Sequence, residues 1–220
     1  GLTALGLGAA DQAVASFDAA SWVWSKAKGE VARINGVTAK VDTRADVPKA
    51  RGHELQISQN DRFVILRDIQ TGSIGSMDLI TLQEFWNGST SSGIGVKVAL
   101  HEDSLFVIDA VQGQVQQLDP RTLTPLGDPL RFAPGITGGV FDGKGTLWIA
   151  APSEGTVTGI AAAVPPSGEP EGAASAPAAG PRVVRTEPVA PASHDLTLST
   201  LEDGVAILNR TTNDLSTLRG

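Results

Sequence analysis

The sequence predicts an all-β fold assembled from one repeated unit of four short antiparallel strands. Three observations carry this prediction. A glycine-centred motif returns at a nearly constant interval, a short apolar strand precedes and another follows each copy, and no segment shows the 3.6-residue apolar period of an amphipathic helix.

The matching segments are KGEVARIN (28–35), TGSIGSMD (71–78), QGQVQQLD (112–119), EGTVTGIA (154–161) and TNDLSTLR (212–219). Their anchors, Gly29, Gly72, Gly113, Gly155 and Asn213, are spaced by 43, 41, 42 and 58 residues. The long fourth interval contains residues 161–181, where 18 of 21 residues are Ala, Pro, Gly or Ser. Such a tract buries too little apolar surface to offset its ordering entropy and reads as a surface loop. Without it the period is restored.

Each element of the unit follows in order. A first strand opens it: AVASF, HELQIS, VKVAL, GGVFD and HDLTLS. A second, apolar strand comes next, with Trp22, Ile65, Phe106, Trp148 and Ala206 at one equivalent position, expected to be core. The anchor then closes a hairpin that needs positive φ, which glycine adopts freely and asparagine tolerates best among the rest. In the third strand, apolar residues fall two and five places after the anchor, as in Val115 and Leu118. On a strand these point to opposite faces, so each sheet must be covered on both sides. Asn35, Asp78 and Asp119, each followed by a threonine three places on, predict side-chain-closed turns into a fourth strand.

Four strands in about 42 residues match the blade of a β-propeller, whose repeats run about 40–45 residues. The expected blades are 11–51, 52–93, 94–135, 136–193 with the Pro/Ala-rich loop 161–181, and 194–220. After the loop, RVVRTEPV resumes as the fourth blade's outer strand, while the fifth blade lacks one. Residues 2–7 are the only candidate in the sequence to supply it, and the expectation is instead that these five repeats are part of a larger ring that continues past residue 220 with more blades. The small, apolar GLTALGLGAA at 1–10 reads either as a leader or frayed strand, or as the end of a membrane anchor that begins upstream.

The net charge of −7 and the lack of any two adjacent Lys or Arg residues exclude a phosphate-binding surface, so no nucleic-acid partner is expected. With no cysteine there is neither a thiolate nucleophile nor a cysteine zinc site. No GxSxG, HExxH, EF-hand or phosphate-loop pattern is present, so neither a catalytic residue, a metal nor a cofactor is assigned. Two blades begin alike, in GHELQIS and SHDLTLS. His53 with Glu54 and His194 with Asp195 are therefore the candidate binding residues. Brought together in a central channel they would form an acid–base or metal-binding cluster; apart, they tie first strands to adjacent loops. His101 reads as a turn residue. Asp68, Asp109 and Asn209, four places before their anchors, read as braces of the hairpins.

The segments GQVQQLDPRTL and GSIGSMDLITL resemble YVTN-type β-propeller repeats. Together with KVDTRADVP and GHELQIS, they are similar to extracellular propeller domains of membrane-anchored actinobacterial proteins that carry fibronectin type III modules. The resemblance spans residues 11–220 and departs from the pattern in the fourth unit, where the loop replaces the Asp-x-x-Thr turn. It implies a bacterial cell-surface or exported module, non-enzymatic, binding a protein or small ligand at a propeller face. The alternative is a propeller enzyme, of lyase or quinone-dependent type, that uses the His/carboxylate cluster in its channel.

Overall fold

The computed structural model describes residues 20–166 and 179–220. They form five consecutive antiparallel sheets. The first contains β1 (Ala20–Ser25), β2 (Glu30–Asn35) and β3 (Val41–Asp46), and a 3-10 turn at Pro48–Ala50 leads out of it. The second contains β4 (Leu55–Gln59), β5 (Phe63–Asp68), β6 (Ser73–Asp78) and β7 (Glu84–Ser89). The third contains β8 (Val96–His101), β9 (Ser104–Asp109), β10 (Gln114–Leu118) and a short β11 (Leu130–Arg131). The fourth contains β12 (Thr137–Phe141), β13 (Thr146–Ala151), β14 (Thr156–Ala161) and β15 (Arg182–Pro188). The fifth contains β16 (Leu196–Thr200), β17 (Val205–Asn209) and β18 (Asp214–Leu218). In every sheet the strands pair in sequence order. The opening strand expected at 13–17 and the pairing expected for residues 2–7 lie outside the described residues.

The five anchors have φ between 61° and 79°. At three of them the next connection also crosses so closely that a Cβ would meet a carbonyl oxygen: Thr90 O 2.1 Å from one on Gly72, Phe132 O 2.2 Å from one on Gly113, and Ala190 O 1.9 Å from one on Gly155. The carbonyls of Gly72, Gly113 and Gly155 accept from Thr90 N, Phe132 N and Val189 N at 2.7–2.8 Å. No connection crosses Asn213 among the described residues, and there a side chain is accommodated.

Successive sheets stack face to face. One apolar cluster joins the first and second sheets around Trp22, Val31, Leu55 and Leu66, and another joins the second and third around Ile65, Ile74, Leu105 and Val107. The third and fourth share Phe106, Val115, Leu147 and Ile149, and the fourth and fifth share Trp148, Val157, Val205 and Ile207. Position rules follow. The residue seven before the anchor and the residue two after it face the following sheet, whereas the one five after it faces the preceding sheet. Val31, Ile74, Val115 and Val157, two after their anchors, are all 0% exposed, but Leu215 in the fifth sheet is 71% exposed. Among the described residues no apolar cluster joins the fifth sheet to the first.

First strands line the inside of the stack and bond to one another through side chains. Gln56 and Ser58 donate to Val96 O and Val98 O, Lys97 donates to Gly138 O, and Thr137 donates to Leu196 O. The predicted turns are present: Asn35 Oδ1 accepts from Val37 N and Thr38 N, Asp78 Oδ1 from Ile80 N and Thr81 N, and Asp119 Oδ1 from Arg121 N.

Two expectations need correction. His101 is not a turn residue: it ends β8 and stacks on Phe141 of the next sheet, ring centroids 5.2 Å apart. The Pro/Ala-rich segment is not a free excursion at its ends. Ala163 is buried, with its N–H and carbonyl both bonded to the Gln117 carboxamide at 2.8 Å, and Pro165 and Pro181 are buried as well. Its middle, 167–178, lies outside the described residues. β15 resumes as the outer strand, as the sequence predicts.

Candidate functional site: the cleft between the second and third sheets

His53 and His194 occupy equivalent places just before β4 and β16, where the chain enters its second and fifth sheets. Each finds its partner within its own sheet. His53 Nδ1 lies 2.7 Å from Asp68 Oδ2, and His194 Nδ1 lies 3.0 Å from Asn209 Nδ2. The register makes this inevitable: β4 pairs with β5 so that Leu55 faces Asp68, and β16 with β17 so that Leu196 faces Asn209. The other oxygen of each partner caps the hairpin. Asp68 Oδ1 accepts from Gln70 N and Thr71 N, and Asn209 Oδ1 from Thr211 N and Thr212 N. Burial works against the Asp68 carboxylate, but the bonds from His53 and the two amides outweigh it and hold its pKa below the ordinary value.

The acids adjacent in sequence do other things. Glu54 pairs with Lys26 at 2.9 Å in solvent, and Asp195 approaches Arg210 at 3.8 Å, also in solvent. The arrangement therefore ties strand entries to hairpins, with Asp68 and Asn209 as partners in place of Glu54 and Asp195. Among the described residues no group of three or more His, Asp or Glu side chains is placed to hold a metal ion.

A cavity of substantial size lies elsewhere. A cleft of about 410 Å³ opens between the outer strand of the second sheet and β9–β10 of the third. One wall is Asn87 to Ser91; the other presents Val107, Asp109, Gln112, Gln114 and Gln116, with Leu118, Leu123 and Pro125 closing one end. It exists because the third sheet's outer strand is truncated. In TPLGDPL, Pro125 and Pro129 flank the approach to β11, which pairs with β10 only at Leu130–Val115 and Arg131–Gln114. Proline cannot donate to a ladder, which limits such strands to edges and short pairings.

Within the cleft, Asp109 and Gln114 face each other across β9 and β10, as do Val107 and Gln116. Gln116 Nε2 is held by Gln117 O at 2.9 Å, whereas no hydrogen bond engages the Gln114 carboxamide among the described residues. Beneath the cleft Arg67 is fully buried and donates to Gln56 Oε1, Thr90 Oγ1, Ser91 O and Gly93 O, fixing the connection that forms the near wall. Burial lowers its pKa, while the Asp109 and Asp68 charges oppose that shift. The glutamines gave no sequence signal, since they read as the polar positions of an ordinary strand.

Solved structures share this architecture. The streptogramin B lyase structure superposes with a TM-score of 0.54 at 9% identity, covering 93% of this chain and 66% of that one. BamB from Moraxella catarrhalis gives 0.57 at 13% identity, covering 90% and 53%. Dihydro-heme d1 dehydrogenase NirN in complex with DHE gives 0.57 at 15%, covering 91% and 42%. The chain has the β-propeller fold. Its five sheets are blades, and it spans between 42% and 66% of the length of these three propellers. No family model and no curated protein matches its sequence. At these identities the likeness concerns the fold, and propellers host both binding and catalysis.

Proposed function

We propose that this propeller is a non-enzymatic binding module of a bacterial cell surface or exported protein, and that the cleft between its second and third blades receives the ligand. The observation that carries the reading is the cleft itself: about 410 Å³ lined by carboxamides, hydroxyls and one carboxylate, with apolar side chains closing one end. A concave site with a few convergent polar groups is the usual form of a recognition site. The rigid frame supports it, since both walls are strand ends locked by Arg67 and the Gly72 and Gly113 crossings. The binding reading takes precedence over a propeller enzyme because each candidate histidine is bonded within its own blade. The surface setting rests on the resemblance of the repeats to extracellular propellers. No helix among the described residues is long and apolar enough to cross a membrane.

The test is a printed array of peptides and glycans probed with the wild-type protein and with Gln114→Trp, which fills the cleft from a partly exposed strand position. Ligands retained by the wild type and lost by the variant are expected. Equal retention, or none by the wild type, would reject the reading.

A further inference from the structure

The four described blade entries share one backbone design. The residue twenty before each anchor, namely Gly52, Gly93, Gly135 and Ser193, has φ of +83°, +93°, +88° and +67°. Its N–H donates to the preceding hairpin, at Lys26 O, Ile69 O, Ala110 O and Pro152 O, over 2.7–2.9 Å. The next residue thus starts from an equivalent backbone position in all four blades, across the first strand pair from the residue four before the anchor. These two positions form matched pairs in three blades. The second has His53 on Asp68 and the fifth has His194 on Asn209. The fourth has an apolar version, Ile136 and Ala151, both buried in one cluster.

The third blade breaks the match. Its pair is Ile94 and Asp109, and an aliphatic sec-butyl side chain cannot satisfy a carboxylate. Ile94 accordingly stands 88% exposed, while Asp109 is 8% exposed and lines the cleft. Among the described residues Asp109 accepts one hydrogen bond, from Gln112 N to Oδ1 at 3.0 Å. The second oxygen, which in Asp68 binds the imidazole, has no partner among them. Arg67 does not serve it, because its donors go to Gln56, Thr90, Ser91 and Gly93. One guanidinium thus lies near two carboxylates, Asp68 and Asp109. Local mismatches of this kind in an otherwise consistent repeat collect at functional sites.

We infer that the imidazole place left open beside Asp109 receives a basic side chain, foremost arginine, of an extended peptide lying along β10. This rests on the binding reading of the same cleft. The peptide is favoured by spacing: Gln114 and Gln116 lie two residues apart on one strand face, roughly 6.8 Å, the two-residue repeat of an extended chain. The Gln114 carboxamide offers both donors and an acceptor to its backbone, and Gln116, whose Nε2 donates to Gln117 O and Gly127 O, offers its Oε1 as an acceptor. Arg131 sits opposite Gln114 on the same face of the sheet, at the rim, and its charge disfavours a polybasic run. A single basic residue flanked by uncharged ones fits.

The probes are N-acetyl-Gly-Thr-Arg-Thr-Gly-amide and the same peptide with citrulline, an uncharged isostere, in place of arginine. They are titrated into isotope-labelled protein and followed by the side-chain amide resonances of Gln112, Gln114 and Gln116. The arginine peptide is expected to move these resonances and to bind about tenfold tighter than the citrulline peptide, the difference between a charge-assisted and a neutral hydrogen bond. Asp109→Asn should abolish that preference. It should also fold, because asparagine already occupies this register at Asn209 and keeps the oxygen that caps the hairpin. Ile94→His, made on an exposed position, should refill the imidazole place and weaken arginine binding by a similar factor. Equal binding of the two peptides at the cleft, or a preference that survives Asp109→Asn, overturns the inference and leaves the binding reading standing. Resonance changes confined elsewhere, or none, also overturn it, and the binding reading then stands or falls on the array.

Discussion

Val157 and Leu215 hold the same position in the repeat, two residues after the anchor, yet the fold should make their truncation cost very different amounts. Val157 is 0% exposed in the cluster between the fourth and fifth blades. Replacing it by alanine removes two buried carbons, worth about 0.8 kcal/mol each, and leaves a cavity that the rigid sheet pair fills poorly. A loss of about 2–3 kcal/mol follows. Leu215 faces away from the fourth blade at 71% exposure, so Leu215→Ala removes carbons that are already mostly in water. Its cost should stay within about 0.5 kcal/mol. Urea unfolding at constant slope reads the difference as a shift in midpoint. A Leu215→Ala loss as large as that of Val157→Ala would mean the far face of the fifth blade is covered, and the assignment of blade faces would be wrong.

Three further perturbations separate the structural roles. Asp142 accepts from Trp148 Nε1 and Gly204 N on one oxygen and from Lys144 N and Thr146 N on the other, each at 3.0 Å, so it joins the fourth blade to the fifth. Asp142→Ala should cost about 3–4 kcal/mol by denaturant titration, because buried donors lose a charged acceptor. Asp68, Asp78 and Asp142 are all opposed by burial but held below the ordinary carboxylate pKa by the hydrogen bonds they accept. The folded state therefore binds fewer protons than the unfolded one. Their contribution is complete above the unfolded value of about 3.9 and is lost as pH falls through the lowered folded values, so thermal midpoints should drop below about pH 4. His53→Ala should lower stability by about 1–2 kcal/mol through the orphaned Asp68 oxygen, without changing ligand retention on the array.

The fold was legible because its repeat is enforced by geometry that few residues satisfy. A hairpin at positive φ crossed by the next connection demands glycine, and Gly72, Gly113 and Gly155 announce it. The alternation of faces followed from Val115 and Leu118 sitting three apart on a strand. The site was harder to read. His53 and Asp68 each recur in the sequence at their own register, but the candidate partner taken from neighbouring residues was Glu54. Antiparallel pairing of the first two strands brings Asp68 to the histidine from fifteen residues away. The cleft left still less trace. It arises from a strand cut short near Pro125 and Pro129, and from the mismatch of Ile94 with Asp109, which becomes visible only when the blades are laid over one another.

The most direct test of the central claim, that the cleft between the second and third blades is the binding site, is hydrogen exchange of the wild-type protein with and without a ligand retained on the array. The account predicts that protection on binding concentrates in residues 87–91 and 109–116. Protection confined to the turns at 79–83 and 142–145, or to the His53 and His194 entries, would contradict it.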